Sequence, residues 1–145
     1  MIRVKIANQQ EAVPLDFAIL RDIARIVLEG EGAKEARISL AFVDNATIHK
    51  LNKQFLNHDE PTDVLSFPMS GPNVKTLEGE VVLGAEIAKA QATDRGHDVG
   101  AELALYVIHG LLHLCGFDDH GDDDVKRMRE RERHYLRELG FPDIV

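Results

Sequence analysis

The sequence has a single cysteine and no long apolar run, and each scarcity excludes a class of protein. Cys115 has no second cysteine to pair with, which rules out an intrachain disulfide framework and favours a reducing compartment. No segment approaches the roughly 18 uninterrupted apolar residues that a membrane helix needs, and the opening MIRVKIANQQ lacks the apolar centre of a secretory signal. We therefore expect a cytoplasmic protein without a membrane partner.

Basic residues are also scarce. The chain has 17 Lys and Arg against 25 Asp and Glu, which gives a formal net charge of −8. This balance disfavours a general nucleic-acid binder, because such proteins use an excess of cations to displace counterions from phosphate. It leaves RNA open as a substrate, since an enzyme needs only a local basic surface or a partner that delivers the RNA.

The length and the apolar pattern predict one mixed domain over residues 1–145. With 145 residues, of which 44% are hydrophobic and 29% charged, the chain has the composition of a soluble globular protein with one core. We predict an α+β fold with a mixed sheet of about four strands packed by about five helices. The expected strands cover about 2–6, 36–44, 64–67 and 78–84, and the expected helices about 14–29, 45–55, 85–95, 99–115 and 122–139.

The segment HGLLHLCGFDDH, residues 109–120, carries the strongest chemical signal. His109 and His113 stand four residues apart in the most apolar helix, so their rings share one helical face and can point at one ion. A buried histidine needs a polar partner, and two in one apolar helix need it twice. The spacing therefore favours one zinc ion per chain over a purely structural pair of histidines, with Gly116 ending the helix and returning the chain toward the metal.

The third zinc ligand is ambiguous by one residue. The pattern HxxxHxxGxxH of metzincins places its third ligand three residues after the glycine. Counting from Gly116 gives Asp119, whose carboxylate is an acceptable zinc ligand. His120 is one residue out of register, and a loop can absorb one residue, so we favour Asp119 and keep His120 as the alternative.

Gly110 argues against peptide hydrolysis. In HExxH metalloproteases the residue after the first histidine is a glutamate that acts as general base, and here it is glycine. A bound metal still activates water without that glutamate. The general base is then supplied from elsewhere or by substrate phosphate.

Three blocks of the sequence resemble the YbeY family of bacterial endoribonucleases and rRNA maturation factors. They are LNKQFLNHDEPTDVLSFP at 51–68, EGEVVLGAEIA at 78–88 and VIHGLLHLCGFDDH at 107–120, in order over about half the chain. The resemblance implies a metzincin-like zinc site and a metal-dependent endoribonuclease specific for single strands. It also implies a role in 3′-end maturation of 16S rRNA and in ribosome quality control, with the rRNA precursor and the ribosome or small-subunit proteins as partners.

By position, His109 and His113 match the first two zinc ligands of the family, and the third ligand, most often histidine there, falls on Asp119. Many members carry an arginine after LNxxF or LNxxY, a candidate for holding RNA phosphate, where this chain has Leu56. The family resemblance therefore leaves that role vacant or assigned to a neighbour such as Lys53 or His58.

Thr62, Asp63 and Ser66 of PTDVLSF are candidates for the wall of a substrate cleft beside the metal; a turn and an edge strand in solvent explain them equally well. Glu102 lies two turns before His109 on the same stripe and either orients a ligand or is exposed near the helix start.

The run KRMRERER at 126–133, with its interleaved glutamates, suits a solvated helix face better than an RNA contact. We expect Cys115 to be a small buried hydrophobe that points away from the histidines.

Two other functions compete with an endoribonuclease. A ribosome-assembly factor with a structural zinc would use four protein ligands, so Asp119 and His120 would both bind. A zinc protease is disfavoured by Gly110.

Overall fold

The computed structural model describes residues 1–56, 63–71 and 75–145, and in these ranges the chain forms four strands and five helices. All the elements predicted from the sequence are found, and the α+β class is confirmed. None of the helices in the described ranges is long and apolar enough to cross a bilayer. In chain order the elements are β1 (Ile2–Gln9), α1 (Phe17–Gly30), β2 (Glu35–Val43), α2 (Asn45–Leu56), β3 (Val64–Pro68), β4 (Thr76–Gly84), α3 (Ala85–Arg95), α4 (Val99–Leu114) and α5 (Asp122–Glu138).

The four strands form one mixed sheet in the order β1-β2-β4-β3. β1, β2 and β4 run parallel, and β3 pairs antiparallel to β4 with Val64 opposite Leu83 and Pro68 opposite Gly79. Side chains of the strands alternate between the two faces of the sheet. One face packs against α1 and α4 in the larger apolar cluster, and the other packs against α2 in a smaller cluster. β3 also packs against α4.

The central helix is α4, as its all-round apolar sequence predicted. It packs against α1, α3 and α5 and against β3 and β4. Ile108, Leu111 and Leu112 are fully buried, whereas His109 and His113 on the neighbouring face are partly exposed. The helix therefore holds both histidines on a rigid support at the surface of the core.

Gly116 ends α4 in the way the sequence predicted. Its φ of +103° lies in the left-handed region that favours glycine. The amide of Gly116 donates to the carbonyl of His113 at 3.0 Å and the amide of Phe117 to the carbonyl of Leu112 at 3.0 Å, the pair of bonds of a Schellman motif. The turn sends the chain back past the end of the helix, toward the two histidines.

Some predicted bounds and buried positions were wrong. The first helix begins at Phe17 because Asp16 caps it and accepts from the amide of Ile19 at 3.2 Å. The helical spacing of apolar residues over 14–29 predicts that Phe17 and Ile19 are buried, but they are 37% and 48% exposed. Val125 is also 37% exposed, because the first turn of α5 projects into solvent and Met128 is its first fully buried residue.

Candidate metal centre

Three side chains meet where α4 ends. The Nε2 atoms of His109 and His113 are 3.1 Å apart, and Oδ2 of Asp119 lies 3.7 Å from the first and 3.6 Å from the second. α4 supplies the histidines from successive turns, and the Schellman turn returns Asp119 to the same point. The arrangement is thus built from one helix and the loop that follows it.

These distances fit a divalent metal. Zinc binds nitrogen at about 2.0–2.1 Å and oxygen at about 2.0–2.2 Å, so two ligands of a tetrahedral ion are about 3.3–3.5 Å apart. The three atoms form a near-equilateral triangle with edges of 3.1, 3.6 and 3.7 Å, close to that value. A single N–H···N hydrogen bond explains the contact between the two rings but gives no reason for a carboxylate equidistant from both.

The cluster is open on one side. The side chains of His109, His113 and Asp119 are 21%, 27% and 41% exposed. His120 is 84% exposed, and its Nε2 atom pairs with Asp118 at 3.1 Å. Among the described residues, Asp119 is therefore the one whose ligand atom lies close to those of both histidines, whereas the ligand atom of His120 lies close to those of Asp118 and Asp119.

Glu132, a residue that the sequence analysis placed on a solvated face, lies directly behind His109. Its side chain is fully buried, and Oε2 is 2.7 Å from Nδ1 of His109. Arg129 donates to the other carboxylate oxygen at 2.7 Å. The expectation for the KRMRERER run was wrong at this residue, because the contact with His109 and Arg129 satisfies a carboxylate that would otherwise favour water.

A sequence signal for this burial exists. Glu132 lies four residues after Met128 and three and four before Tyr135 and Leu136, all three of which are fully buried. That spacing puts Glu132 inside the apolar stripe of α5. The burial of a charged residue on such a stripe indicates a partner on the helix it packs against, here α4.

A cleft of about 310 Å³ opens beside His109. Its volume is at the lower end of the range of about 300–1,000 Å³ for ligand sites. The charged residues in its walls are Asp63, Arg95, Glu102, Arg129 and Glu132.

Glu102 forms the other buried carboxylate of the cleft. It is 1% exposed, so the alternative of an exposed residue was wrong. One carboxylate oxygen of Glu102 lies 2.6 Å from Nε2 of His97, and the other lies 3.6 Å from the guanidinium of Arg95. His97 is therefore a partner of a buried carboxylate, although its position in the sequence shows no ligand spacing. Burial, with Glu102 and Asp63 nearby, raises the pKa of Tyr106 far above its ordinary value, so its hydroxyl keeps its proton.

Ser66 connects β3 to α4. Its hydroxyl donates to the carbonyl of Gly110 at 2.9 Å. A Cβ on Gly110 would lie 2.5 Å from Cγ1 of Val81 and 3.0 Å from Cγ1 of Val64. The helix therefore approaches the sheet too closely for any side chain here, and the glutamate of a protease would not fit.

Comparison with known proteins identifies the family of the chain. The model of the family described as "Endoribonuclease YbeY" matches residues 5–140. The chain belongs to the YbeY family. It is 40% identical over 148 residues to "Endoribonuclease YbeY" of Pelotomaculum thermopropionicum, covering 95% of this chain and 97% of that protein. It is 38% identical over 140 residues to the protein of the same name from Carboxydothermus hydrogenoformans, covering 94% and 97%.

A solved structure supports the fold. The solution structure of TM1509 from Thermotoga maritima matches with a TM-score of 0.67 and 29% identity, covering 96% of this chain and 89% of that one. The resemblance to the YbeY family is confirmed by the family model and by the relatives, and the solved structure matches the fold.

The candidate cleft residues of PTDVLSF are only partly described. Thr62 and His58 lie outside the described residues. Asp63 is exposed and contributes to the cleft wall, and its carboxylate accepts from the amide of Val64 at 2.8 Å. Leu56, where many YbeY members carry arginine, is the last residue of α2.

Cys115 is half-buried next to the site. Burial, together with the charge of Glu31, raises the pKa of its thiol to about 11. At neutral pH it is a protonated thiol, which agrees with the expected apolar role. Among the described residues, it does not belong to the group formed by the two histidines and Asp119.

Proposed function

We propose that the chain is a zinc-dependent endoribonuclease that cuts single-stranded RNA at the centre formed by His109, His113 and Asp119. The observation that carries the proposal is a three-residue ligand set open to solvent, beside a cleft, in a chain of the YbeY endoribonuclease family. Catalytic zinc sites use three protein ligands and an open position, whereas closed structural sites use four. His120, which pairs with Asp118, is not needed as a fourth ligand.

The residues have separate roles in this proposal. His109 and His113 present Nε2 atoms and Asp119 a carboxylate oxygen to one zinc ion per chain. When bound, such an ion lowers the pKa of water to about 7 and polarises a phosphoryl oxygen. Gly110 allows α4 to lie close to the sheet, and this position of α4 places the two histidines beside the cleft.

Two arginines lie in the wall of the cleft, although the chain as a whole is acidic. Arg95 and Arg129 line it with His109, and their side chains are 51% and 47% exposed. Each has further guanidinium donors beyond its contact with a buried glutamate, and arginine matches the geometry of phosphate. We propose that they hold the backbone of a single strand that passes the metal, in place of the arginine that is absent at position 56.

The cellular role that we propose is based on membership of the family. The relatives named above are endoribonucleases. We propose 16S rRNA precursor as the substrate, with 3′-end maturation and ribosome quality control as the process and small-subunit proteins as partners. A net charge of −8 supports delivery of the RNA by such a partner, because the acidic surface repels free RNA.

The test combines metal analysis with RNA cleavage. Purified wild-type protein is expected to contain one zinc per chain and to cut a single-stranded oligoribonucleotide, and a chelator followed by added zinc should remove and restore cleavage. His113→Ala is expected to lose both metal and cleavage. His134→Ala is the matched control, since His134 is a half-exposed histidine that pairs with Glu138 on α5.

Three outcomes separate the alternatives. Folded His113→Ala protein that cuts RNA at the wild-type rate contradicts the proposal. Wild-type protein that holds zinc and leaves RNA intact favours the assembly factor, and casein cleavage that a chelator stops favours the protease. Among cleaving enzymes, a 2′,3′-cyclic phosphate product identifies attack by the 2′-hydroxyl of the RNA and rejects direct attack by water.

A further inference from the structure

We propose that Glu132 is a positioning residue of the metal centre. It selects the ring tautomer in which His109 can bind a metal, and Arg129 fixes the orientation of the Glu132 carboxylate. This inference rests on the proposed metal site and not on RNA cleavage. None of the similarities to known proteins assigns a role to either residue.

Both oxygens of the Glu132 carboxylate are committed. Oε2 lies 2.7 Å from Nδ1 of His109, and Oε1 accepts from NH1 of Arg129 at 2.7 Å. The side chain is fully buried, so water does not compete for either contact. A buried carboxylate with both oxygens bonded is held in one orientation, since any rotation would break a bond in a place without solvent.

The carboxylate determines which ring nitrogen of His109 carries hydrogen. An ionised carboxylate only accepts hydrogen bonds, so Nδ1 must carry the hydrogen and donate it. In the neutral ring Nε2 then has a free lone pair. That Nε2 atom is the one that faces Nε2 of His113 and Oδ2 of Asp119. Metal-binding histidines are commonly fixed in this way by a carboxylate behind them.

Because Arg129 also needs an acceptor, the contact between Glu132 and His109 should be sensitive to the replacement of Glu132 by glutamine. Arg129 and Glu132 are one turn apart on α5, whereas His109 lies 23 residues before Glu132 on α4. A glutamine at 132 offers one acceptor to two donors. If its oxygen serves Arg129, its amide group faces Nδ1 as a donor, which favours the ring tautomer with hydrogen on Nε2 and weakens metal binding.

The first test needs no substitution. Long-range nitrogen–proton NMR spectra of metal-free wild-type protein at pH 8 report the tautomer of each histidine. For His109 we expect hydrogen on Nδ1 and a bare Nε2. Exposed His134, whose Nε2 atom faces the carboxylate of Glu138, is the internal reference and should carry its hydrogen on Nε2. A His109 ring with its hydrogen on Nε2 would overturn the proposal.

The second test measures zinc affinity without RNA, by competition with a chromophoric chelator. Glu132→Gln is expected to raise the zinc dissociation constant about 10- to 100-fold, the usual effect of removing such a partner. Glu130→Gln, an exposed acid on the same helix, is the control and should stay within about twofold. The double variant Glu132→Gln with Arg129→Gln should regain part of the affinity, because the amide oxygen is then free for His109.

The outcomes are separable from those of the proposed function. Equal zinc affinity of Glu132→Gln and Glu130→Gln, with circular dichroism showing both folded, overturns the proposal, as does a wild-type protein that binds no zinc. A double variant no better than Glu132→Gln overturns the role of Arg129. Wild-type protein that binds zinc and shows the expected tautomer but cuts no RNA contradicts only the nuclease assignment.

Discussion

Replacing Gly110 by alanine tests whether the close approach of α4 to the sheet determines the site. The added Cβ would lie 2.5 Å from Cγ1 of Val81 and 3.0 Å from Cγ1 of Val64. Two non-bonded carbons prefer about 3.5–4.0 Å, so the first contact is short by about 1 Å. Val81 is fully buried on a central strand, and a β-branched side chain has little rotamer freedom with which to move away.

The expected effect is the difference between a helix gain and a packing loss. Alanine in a helix is favoured over glycine by about 1 kcal/mol. Extra atoms in a packed core cost about 1–3 kcal/mol. At Gly110 we therefore expect a net loss of about 1 kcal/mol in the free energy of unfolding. Gly100, in the first turn of α4 with no atom within 4 Å of its Cβ position, should show only the gain.

The assay compares the two alanine variants as metal-free proteins. The difference of about 2 kcal/mol corresponds to a Tm of Gly110→Ala about 4–8 °C below that of Gly100→Ala. Adding Val81→Ala to Gly110→Ala should cost less than Val81→Ala alone, since the cavity accepts the new methyl group. A Gly110→Ala protein as stable as Gly100→Ala would refute the reasoning, because the helix would then have room for a side chain.

Three further predictions concern the site and its surroundings. Asp119→Ala should raise the zinc dissociation constant at least about tenfold, because losing a ligand should cost at least as much as losing a residue that orients a ligand. In the same chelator competition, His120→Ala should change the constant by less than about twofold. Arg95→Gln should weaken RNA binding in fluorescence anisotropy and reduce the slope of log K against log salt by about 0.7, the value for one phosphate of a single strand; Arg25→Gln, on α1, should leave the slope unchanged. The pKa of the Cys115 thiol rises from 9.0 to about 11 on folding, so the folded state binds the proton more tightly between these values. Stability should therefore be unaffected by this thiol below pH 9 and fall between pH 9 and 11, a decrease that Cys115→Ala should lack in urea titrations.

The part of the site that could be predicted from the sequence is local. His109, His113 and Gly116 act through helical spacing and a helix end, and both are set by neighbours within seven residues. The strand and helix bounds are of the same kind, because apolar periodicity records which face of each element is buried. The geometry of Asp119 depends on a three-residue turn and was correspondingly ambiguous by one residue.

The partners of the buried carboxylates Glu102 and Glu132 could not be predicted in this way. A charge is expected in water unless a specific partner compensates for its burial. The partner of Glu132 lies 23 residues away on another helix. Sequence periodicity identifies the buried position on the stripe of α5, but only the packing of α5 against α4 brings His109 to it.

The position of α5 depends in turn on contacts at the end of α1. Arg131 and the hydroxyl of Tyr135 both donate to Glu31, which is 104 residues from Tyr135, and the ring of Tyr135 fits because Gly30 has no Cβ. Burial, with Glu31 beside it, raises the pKa of Tyr135 above its ordinary value, so its hydroxyl keeps the proton that it donates. Glu132 is one turn from Tyr135 on the same rigid helix. The ring of His109, the proposed metal ligand, is therefore connected through α5 to the ion pair between Arg131 and Glu31, which no motif centred on the two histidines includes.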